Sequence, residues 1–264
     1  MWKGKYGFFD YKYNIQGYEG QDYMAPIQYI MTAIGVIGIV LLLIFLRKMK
    51  KENSKKLLGI MGIVFTCLYF IKTIWESYWD IKTGRGFNIW ILPFDTCSLF
   101  MPGLIIAGFS KKDSKLELFA STFLATIGLV GGVANFIFLR GLQYYPMFSF
   151  GALYSYFWHV AMVFVALFIP INQFHEFEFI DIVNGMVFVL IACVYVIPFN
   201  YITGTDFMLL NEAGGAPILE DVASSINKIG LTPIVNLMMI ATYFAFSAIF
   251  VTIYHFSIRP RKQA

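Results

Sequence analysis

Seven apolar stretches, each long enough to cross a membrane, dominate the sequence. A helix needs about 20 apolar residues to span a hydrocarbon core of about 30 Å. Of the 264 residues, 58% are hydrophobic and only 14% are charged, whereas a soluble domain has roughly 25% charged residues. We therefore predict an all-α polytopic membrane bundle with seven transmembrane helices, forming one domain over residues 1–264. The predicted spans are Pro26–Leu46, Leu57–Tyr78, Ile89–Phe109, Leu116–Leu139, Phe150–Pro170, Phe179–Phe199 and Leu231–His255.

The distribution of Lys and Arg predicts how the bundle is oriented. Seven spans place the two termini on opposite sides of a membrane, which we expect to be the cell membrane. Twelve basic residues lie on one side and seven on the other, so the positive-inside rule places the N-terminus outside and the C-terminus inside. The net charge of +4 thus concerns orientation, and we expect no nucleic acid partner. The larger group is Arg47, Lys48, Lys50, Lys51, Lys55, Lys56, Lys111, Lys112, Lys115, Arg259, Arg261 and Lys262.

Two segments outside the spans differ from ordinary short connections. Residues 1–23 contain eight aromatic residues and no apolar core, which predicts an interfacial segment rather than a signal peptide. The outer loop 200–230 is the only long connection, and loops of this length are usually lids, binding elements or disordered. Its apolar and acidic content argues against disorder.

The three cysteines, Cys67, Cys97 and Cys193, all fall within apolar runs. No CxxC pair or Cys/His cluster has the spacing of metal ligands. We therefore expect no structural disulfide, no bound metal and no cofactor. The oligomeric state is left open.

The third predicted span contains a run of polar residues that is unfavourable in hydrocarbon unless other protein groups contact it. Asp95, Thr96, Cys97 and Ser98 are consecutive, and each unsatisfied polar group in a membrane costs several kcal/mol. Pro93 and Pro102 each remove a helical hydrogen bond, which frees the carbonyls of Ile89 and Ser98. We expect non-ideal backbone around the thiol, covered by protein or lining a cavity.

Two other spans carry polar side chains with more than one interpretation. Lys72 and Glu76 lie four residues apart on one helical face, and such charges face the bundle interior or reach the interface. They form either a structural ion pair or a contact to a substrate headgroup. Asn135 follows a face of small residues in the fourth span, where an interhelical hydrogen bond is the commonest use of an amide.

Cys97 and His159 of the fifth span are predicted to lie at the same depth in the membrane. Both spans run inward from the outer face, and both residues lie about 12 to 14 Å below it at 1.5 Å per residue. A neutral imidazole beside a thiol is the usual base that makes it a nucleophile. The Asp95 carboxylate either disfavours the thiolate or orients the imidazole, and spacing alone does not choose between these.

Three motifs carry a resemblance to a known family. They are LPFDTC at 92–97, YFWH at 156–159 and NYITGTDFML at 200–209, followed by the segment to Pro233. In this order and spacing they resemble the YwaF-like bacterial integral membrane proteins, from about residue 30 onward. That family is similar to an animal acyltransferase of ether phospholipids and, more remotely, to the androgen-induced, ADTRP-type membrane hydrolases.

The resemblance implies site residues. Cys97 corresponds to the cysteine nucleophile of the acyltransferase and His159 to its histidine partner. Asn200, Gly204 and Asp206 fall on the family's motif of the NxxxGTNYMFL type.

Two features depart from the family's pattern. The residue two before the cysteine is commonly His in the bacterial relatives and is Asp95 here, and the Asn-Tyr pair of the loop motif is replaced by Asp206 and Phe207. The chemistry comes from the animal branch, because the resemblance to the bacterial family supplies no substrate.

An enzyme is the first functional class that fits these residues. His159 would deprotonate Cys97, and the thiolate would attack the acyl ester of a membrane phospholipid or other acyl lipid. A lysolipid, an amine or water would then receive the acyl group. Asn135 and Ser98 are candidate donors to the oxyanion.

A non-catalytic membrane protein is the second class. Lys72 and Glu76 would then bind a solute, a lipid or a proton, since broken helices and charges near the midplane are typical of transporters. Transporters usually contain internal repeats, and the sequence shows none. A scaffold is a third possibility.

Overall fold

Helices form all the regular structure that this computed structural model describes, which covers residues 6–11, 26–138, 145–213 and 217–257. The helices are α1 Pro26–Leu46, α2 Lys51–Lys82, α3 Phe100–Phe109, α4 Lys115–Ala125, α5 Ile127–Phe138, α6 Phe150–Ile171, α7 Asp181–Thr203, α8 Pro217–Asn227 and α9 Thr232–Ser257, with 3₁₀ turns at Ile89–Ile91 and Phe207–Leu209.

Six helical segments within these ranges are long and apolar enough to cross a membrane. They correspond to α1, α2, the pair α4 and α5, α6, α7 and α9. The predicted all-α, multi-pass membrane class is thereby confirmed. The number of crossings and the orientation stay predictions.

The third predicted span differs from the other six, because its helix forms only at Phe100–Phe109. Pro93 has no N–H, and the Ile89 carbonyl accepts instead from the N–H of Leu92, at 3.2 Å. Pro102 lies in the first turn of α3, where an N–H needs no intrahelical acceptor. The stretch in between is the non-helical backbone that the prolines and polar side chains predicted.

The chain before and through α3 runs antiparallel to α2. A methyl group on Gly62 of α2 would lie 2.8 Å from the backbone N of Ile105. Further along α2, the Tyr69 hydroxyl donates to the carbonyl of Ile91. Residue numbers therefore increase along α2 in the direction in which they decrease along its neighbour. The stretch from Ile91 through α3 thus runs back along α2, although only part of it is helical.

The centre of the bundle consists of α4, α5 and α6. Within their apolar windows, 67% of residues are buried for the α4 and α5 segment and 61% for α6, against at most 33% for the other spans. The predicted small-residue face of α5 packs on α6, where a methyl group on Gly132 would lie 3.1 Å from the carbonyl oxygen of His159. The side chains of Ser114 and Ser149 cap the first turns of α4 and α6.

The loop after α7 is compact. Helix α7 ends at Gly204, whose φ of 68° is the left-handed value that favours glycine at this position. Met208 and Leu209 also have positive φ, at 59° and 56°. Helix α8 then packs against α9.

Residues 6–11 of the predicted interfacial segment lie over the end of α2. The carbonyl of Phe9 accepts from the indole N–H groups of both Trp75 and Trp79, each at 2.9 Å. The rest of the segment, residues 1–5 and 12–23, lies outside the described residues.

Candidate functional site

Cys97 lies on the non-helical stretch between α2 and α3, and its residue surface is half-buried. Asp95 and Lys72 are the charged side chains within electrostatic range of its thiol, and Ser98 is the next residue in the chain. Three tyrosines from different helices lie within electrostatic range of the thiol: Tyr69 of α2, Tyr154 of α6 and Tyr243 of α9.

The loop after α7 is fastened to this stretch through both backbone groups of Met208. Its N–H donates to Asp95 Oδ1 at 3.3 Å, and its carbonyl accepts from the Tyr243 hydroxyl at 3.0 Å. The Tyr243 oxygen in turn accepts from Thr96 Oγ1 at 2.9 Å. Two polar residues next to Cys97 thus hold the loop, so the loop and the thiol segment form one unit.

Asn200 makes its contacts inside the loop. Its side-chain nitrogen donates to the carbonyl of Phe207 at 2.9 Å, and its side-chain oxygen accepts from the N–H of Phe207 at 3.0 Å and from the Thr205 hydroxyl at 2.9 Å. Asp206 Oδ1 accepts from the N–H groups of Asn211 and Glu212. These bonds shape the loop that carries Met208.

Lys72 and Glu76 form an ion pair at 2.7 Å, with only 16% and 4% of their side-chain surfaces exposed. The hydroxyl of Tyr145 donates to the same carboxylate at 2.6 Å. The Lys72 ammonium also lies 5.8 Å from the ring centroid of Tyr154, within range of a cation–π interaction. The pair has the contacts that the structural interpretation predicted.

His159 is held between α5 and α6. Its Nδ1 lies 2.7 Å from the carbonyl oxygen of Ser155, so Nδ1 carries the hydrogen and donates. Its Nε2 then has the lone pair and accepts from the amide nitrogen of Asn135 at 3.3 Å. The predicted interhelical bond of Asn135 is thus to the imidazole. Among the described residues, no hydrogen bond joins His159 to Cys97.

The TMEM164 family matches residues 23–258, which covers nearly all of the bundle. The chain belongs to the TMEM164 family. No curated protein and no solved structure matches it significantly.

The predicted site residues of this TMEM164-family chain fall into two groups. Asp95, Cys97, Ser98, Lys72 and Glu76 gather on one side, joined through Met208 to the loop of Asn200 and Asp206. Asn135 and His159 form the other group. Within the described ranges, no set of three or more His, Cys, Asp and Glu residues could hold a metal ion.

The sequence interpretation missed two residues of the Cys97 environment. Tyr69 and Tyr243 each stand within an apolar helix, and their hydroxyls bind backbone carbonyls of Ile91 and Met208. A hydroxyl in an apolar span indicates that a partner exists, but only the fold identifies that partner. Together with Lys72 they make up the polar surroundings of the thiol, and both hydroxyl hydrogens are donated to those carbonyls.

Proposed function

We propose that the protein is an intramembrane acyl-transfer enzyme in which Cys97 carries the acyl group of a membrane phospholipid or another acyl lipid. The observation that carries the proposal is the position of Cys97 on non-helical backbone, within electrostatic range of Lys72 and three tyrosines. Membership of the TMEM164 family agrees with it. The motifs at 92–97 and 156–159 support the same chemistry through their resemblance to the ether-phospholipid acyltransferase.

The proposed reaction has two steps. Substrate binding first has to bring Cys97 and His159, which belong to separate groups in the resting protein, within hydrogen-bond reach. The proton of the Cys97 thiol then passes to His159, the sulfur bonds to the carbonyl carbon of the ester, and the bond to the lysolipid oxygen breaks as that oxygen takes the proton. A second lysolipid, an amine or water then attacks the thioester and releases Cys97. The transfer returns every proton, so the reaction needs no cofactor.

His159 is the base in this proposal, and Asn135 holds it in the resting protein. Nε2 of His159 is the acceptor that Asn135 now occupies at 3.3 Å. Catalytic hydrogen bonds are often long or misaligned before substrate binds. Substrate would therefore have to displace Asn135 from Nε2, which leaves its amide available as an oxyanion donor together with Ser98.

The remaining site residues have structural roles and take no part in bond formation. We assign Asp95 to holding Met208, and Asn200 and Asp206 to shaping the loop, because their side chains are bonded there. The protein would work in the outer half of the cell membrane, as a member of the YwaF-like branch.

The transporter alternative receives less support from the contacts. The two charges that it needs, Lys72 and Glu76, neutralise each other at 2.7 Å. Tyr145 supplies a further bond to Glu76. A solute would have to break a buried pair, and removing one partner of such a pair costs about 3 to 5 kcal/mol.

The test is detection of an acyl thioester. The purified protein in nanodiscs is incubated with a phospholipid whose acyl chain carries an alkyne, and the modified residue is located by mass spectrometry before and after neutral hydroxylamine. We expect a hydroxylamine-sensitive acyl group on Cys97, and its loss in Cys97→Ser.

The chain offers matched controls. Cys67→Ser and Cys193→Ser remove an exposed and a buried thiol of the same bundle, and both variants should keep the acyl group on Cys97. His159→Gln should slow its formation by about 100-fold or more. Acylation that persists in Cys97→Ser, or that needs Glu76 but not Cys97, would overturn the proposal.

A further inference from the structure

A cavity lies at the end of the bundle opposite to Cys97. It measures about 200 Å³ and is lined by charged and hydroxyl side chains. Lys51, at its edge, is 21 residues before Lys72 on the same helix, a distance of about 30 Å at 1.5 Å per residue. The cavity is therefore separate from the Cys97 site. Its lining is Lys51, Asp113, Ser114, Glu117, Leu118, Ser121, Phe174 and His175.

His175 stands at this cavity with hydroxyl groups at both ring nitrogens. Ser121 Oγ lies 3.3 Å from its Nδ1, and Thr122 Oγ1 lies 3.3 Å from its Nε2. Asp181 Oδ2 lies 3.7 Å from the same Nε2. A hydroxyl, an imidazole and a carboxylate thus follow one another in the order that a nucleophilic serine site requires.

The Asp181 carboxylate, 3.7 Å from Nε2, is an electrostatic neighbour rather than a hydrogen-bond acceptor, and its negative charge favours the tautomer with the hydrogen on Nε2. In that tautomer Nε2 donates to the Thr122 hydroxyl at 3.3 Å, and Nδ1 presents a lone pair to Ser121. Burial lowers the pKa of His175 to about 4, against the opposing effect of Asp181, with Lys51 and Glu117 as further charged neighbours. The ring is therefore neutral at physiological pH, and the Asp181 carboxylate is the charge that would stabilise it once it takes a proton.

The carboxylate that orients the ring is itself fixed. Asp181 Oδ2 accepts from the N–H of Glu178 at 2.9 Å, and its Oδ1 accepts from the amide nitrogen of Asn184 at 2.7 Å. Only 3% of its side-chain surface is exposed. Among the described residues, Ser121 Oγ has only the Leu118 carbonyl at 3.2 Å as a competing acceptor, so a rotation of its O–H bond is enough to aim the hydrogen at Nδ1.

We propose that Ser121, His175 and Asp181 form a second nucleophilic site, which hydrolyses a small polar carboxylic ester that enters from the aqueous side. Ser121 Oγ would bond to the carbonyl carbon while its hydrogen passes to Nδ1 of His175, and the leaving alcohol would take that hydrogen. Water would then release the acid and restore Ser121. Lys51, whose ammonium lies at the cavity and pairs with Asp113 at 2.7 Å and Glu117 at 3.6 Å, would have to turn from these carboxylates to balance the negative oxygen of the intermediate.

The size and lining of the cavity determine the class of substrate. A volume of about 200 Å³ holds a small polar group but not an extended lipid chain. Charges of both signs line it, which suits a polar or zwitterionic ester. A lipid acyl donor belongs to the Cys97 site instead, so the two sites are distinguished by probe as well as by position.

The test uses a fluorophosphonate with a short polar tail, because phosphorus takes the place of the acyl carbon. The serine oxygen bonds to phosphorus, fluoride leaves, and the proton passes to His175. The full-length protein in nanodiscs is labelled at pH 7.5, and the modified residue is located by mass spectrometry. We expect label on Ser121, and none in Ser121→Ala.

Two further variants separate a reacting site from a merely structural cluster. His175→Gln and Asp181→Asn should lower the maximal labelling rate by about 100-fold or more and leave the probe concentration at half-maximal rate unchanged. Ser54→Ala removes another buried hydroxyl from this end, one without a hydrogen-bond partner among the described residues, and Cys97→Ser removes the other nucleophile. Both should label as the unaltered protein does.

The outcome is decisive in either direction. Each variant is first checked for an unchanged unfolding temperature, so that loss of label is not loss of fold. A folded protein that leaves Ser121 unlabelled, or that labels it equally in His175→Gln, would overturn the proposal.

Discussion

The carboxylate of Asp95 accepts a hydrogen bond from the backbone N–H of Met208, a residue 113 positions further along the chain. Through this bond and that of Tyr243 to the Met208 carbonyl, the stretch next to Cys97 and the loop after α7 hold each other in place. Met208 is buried and has a positive φ, which a non-glycine residue adopts only when its surroundings enforce it. These side chains provide that enforcement.

Tyr243→Phe is expected to loosen the loop. The change leaves the buried carbonyl of Met208 without its donor and costs about 1 to 3 kcal/mol of unfolding free energy. It should also speed alkylation of Cys97 by a thiol reagent, since the stretch that carries Cys97 is held less firmly against the loop. Tyr195→Phe is the control, because the Tyr195 ring packs on Phe94 and keeps that contact. Equal alkylation rates for both variants would contradict the coupling.

Asn200→Ala is expected to destabilise more than any single-bond change in α7. Three hydrogen bonds to a fully buried amide are lost, at a cost of about 2 to 4 kcal/mol. Denaturation in mild detergent measures it. Asn184→Ala, which removes one bond to Asp181, should cost clearly less. If acyl transfer failed while the stability of Asn200→Ala stayed unchanged, Asn200 would contact substrate instead.

The Lys72 and Glu76 pair is expected to behave as a buried structural pair. Lys72→Met alone leaves a buried carboxylate and should cost about 3 to 5 kcal/mol. The double variant Lys72→Met with Glu76→Gln should recover most of this, because Gln is neutral and still accepts from Tyr145. The surface pair Lys112 and Glu52, at 2.9 Å, is the control, and breaking it should leave the stability unchanged. A double variant as unstable as the single one would contradict this account.

Helix bounds are predicted best for the spans in which a long apolar stretch is the only signal. The prediction for α1 matches the structure at both ends, and that for α6 differs by one residue. In the third span, apolar length and polar content disagree. There the chain is non-helical because Asp95 and Thr96 find partners in a loop and in α9, and no local pattern identifies partners more than 100 residues away.

The candidate sites likewise contain local contacts that the sequence predicts and long-range contacts that only the fold reveals. The ion pair of Lys72 and Glu76 follows from helical spacing and was predicted as one of two interpretations. The contact of His159 with Asn135 joins two helices whose relative rotation the sequence does not specify. The group of Ser121, His175 and Asp181 spans a helix, a connection and the start of another helix, and was therefore missed.

The two glycines at the contact of α2 and α3 are expected to differ in their tolerance of a methyl group. A methyl on Gly108 would overlap the backbone of Gly59, which is unable to move aside. A methyl on Gly59 would lie 2.7 Å from the ring of Phe109, a side chain at the end of α3 that is largely exposed. We expect Gly108→Ala to cost about 3 kcal/mol or more and Gly59→Ala about 1 kcal/mol. Equal losses of stability in thermal unfolding would show that the helices separate readily.

His175 is expected to make stability depend on pH. Its pKa is about 4 in the folded protein, lowered by burial from the model-compound value of 6.5. Between these values the unfolded chain binds more protons than the folded one, so this contribution is complete above pH 6.5 and declines as the pH falls toward 4. From pH 6.5 to 5 the loss amounts to about 2 kcal/mol. His175→Gln does not titrate, and its unfolding free energy should fall by about that much less over this interval. Identical pH slopes for the two proteins would mean that the imidazole is already charged, or solvated, in the folded state.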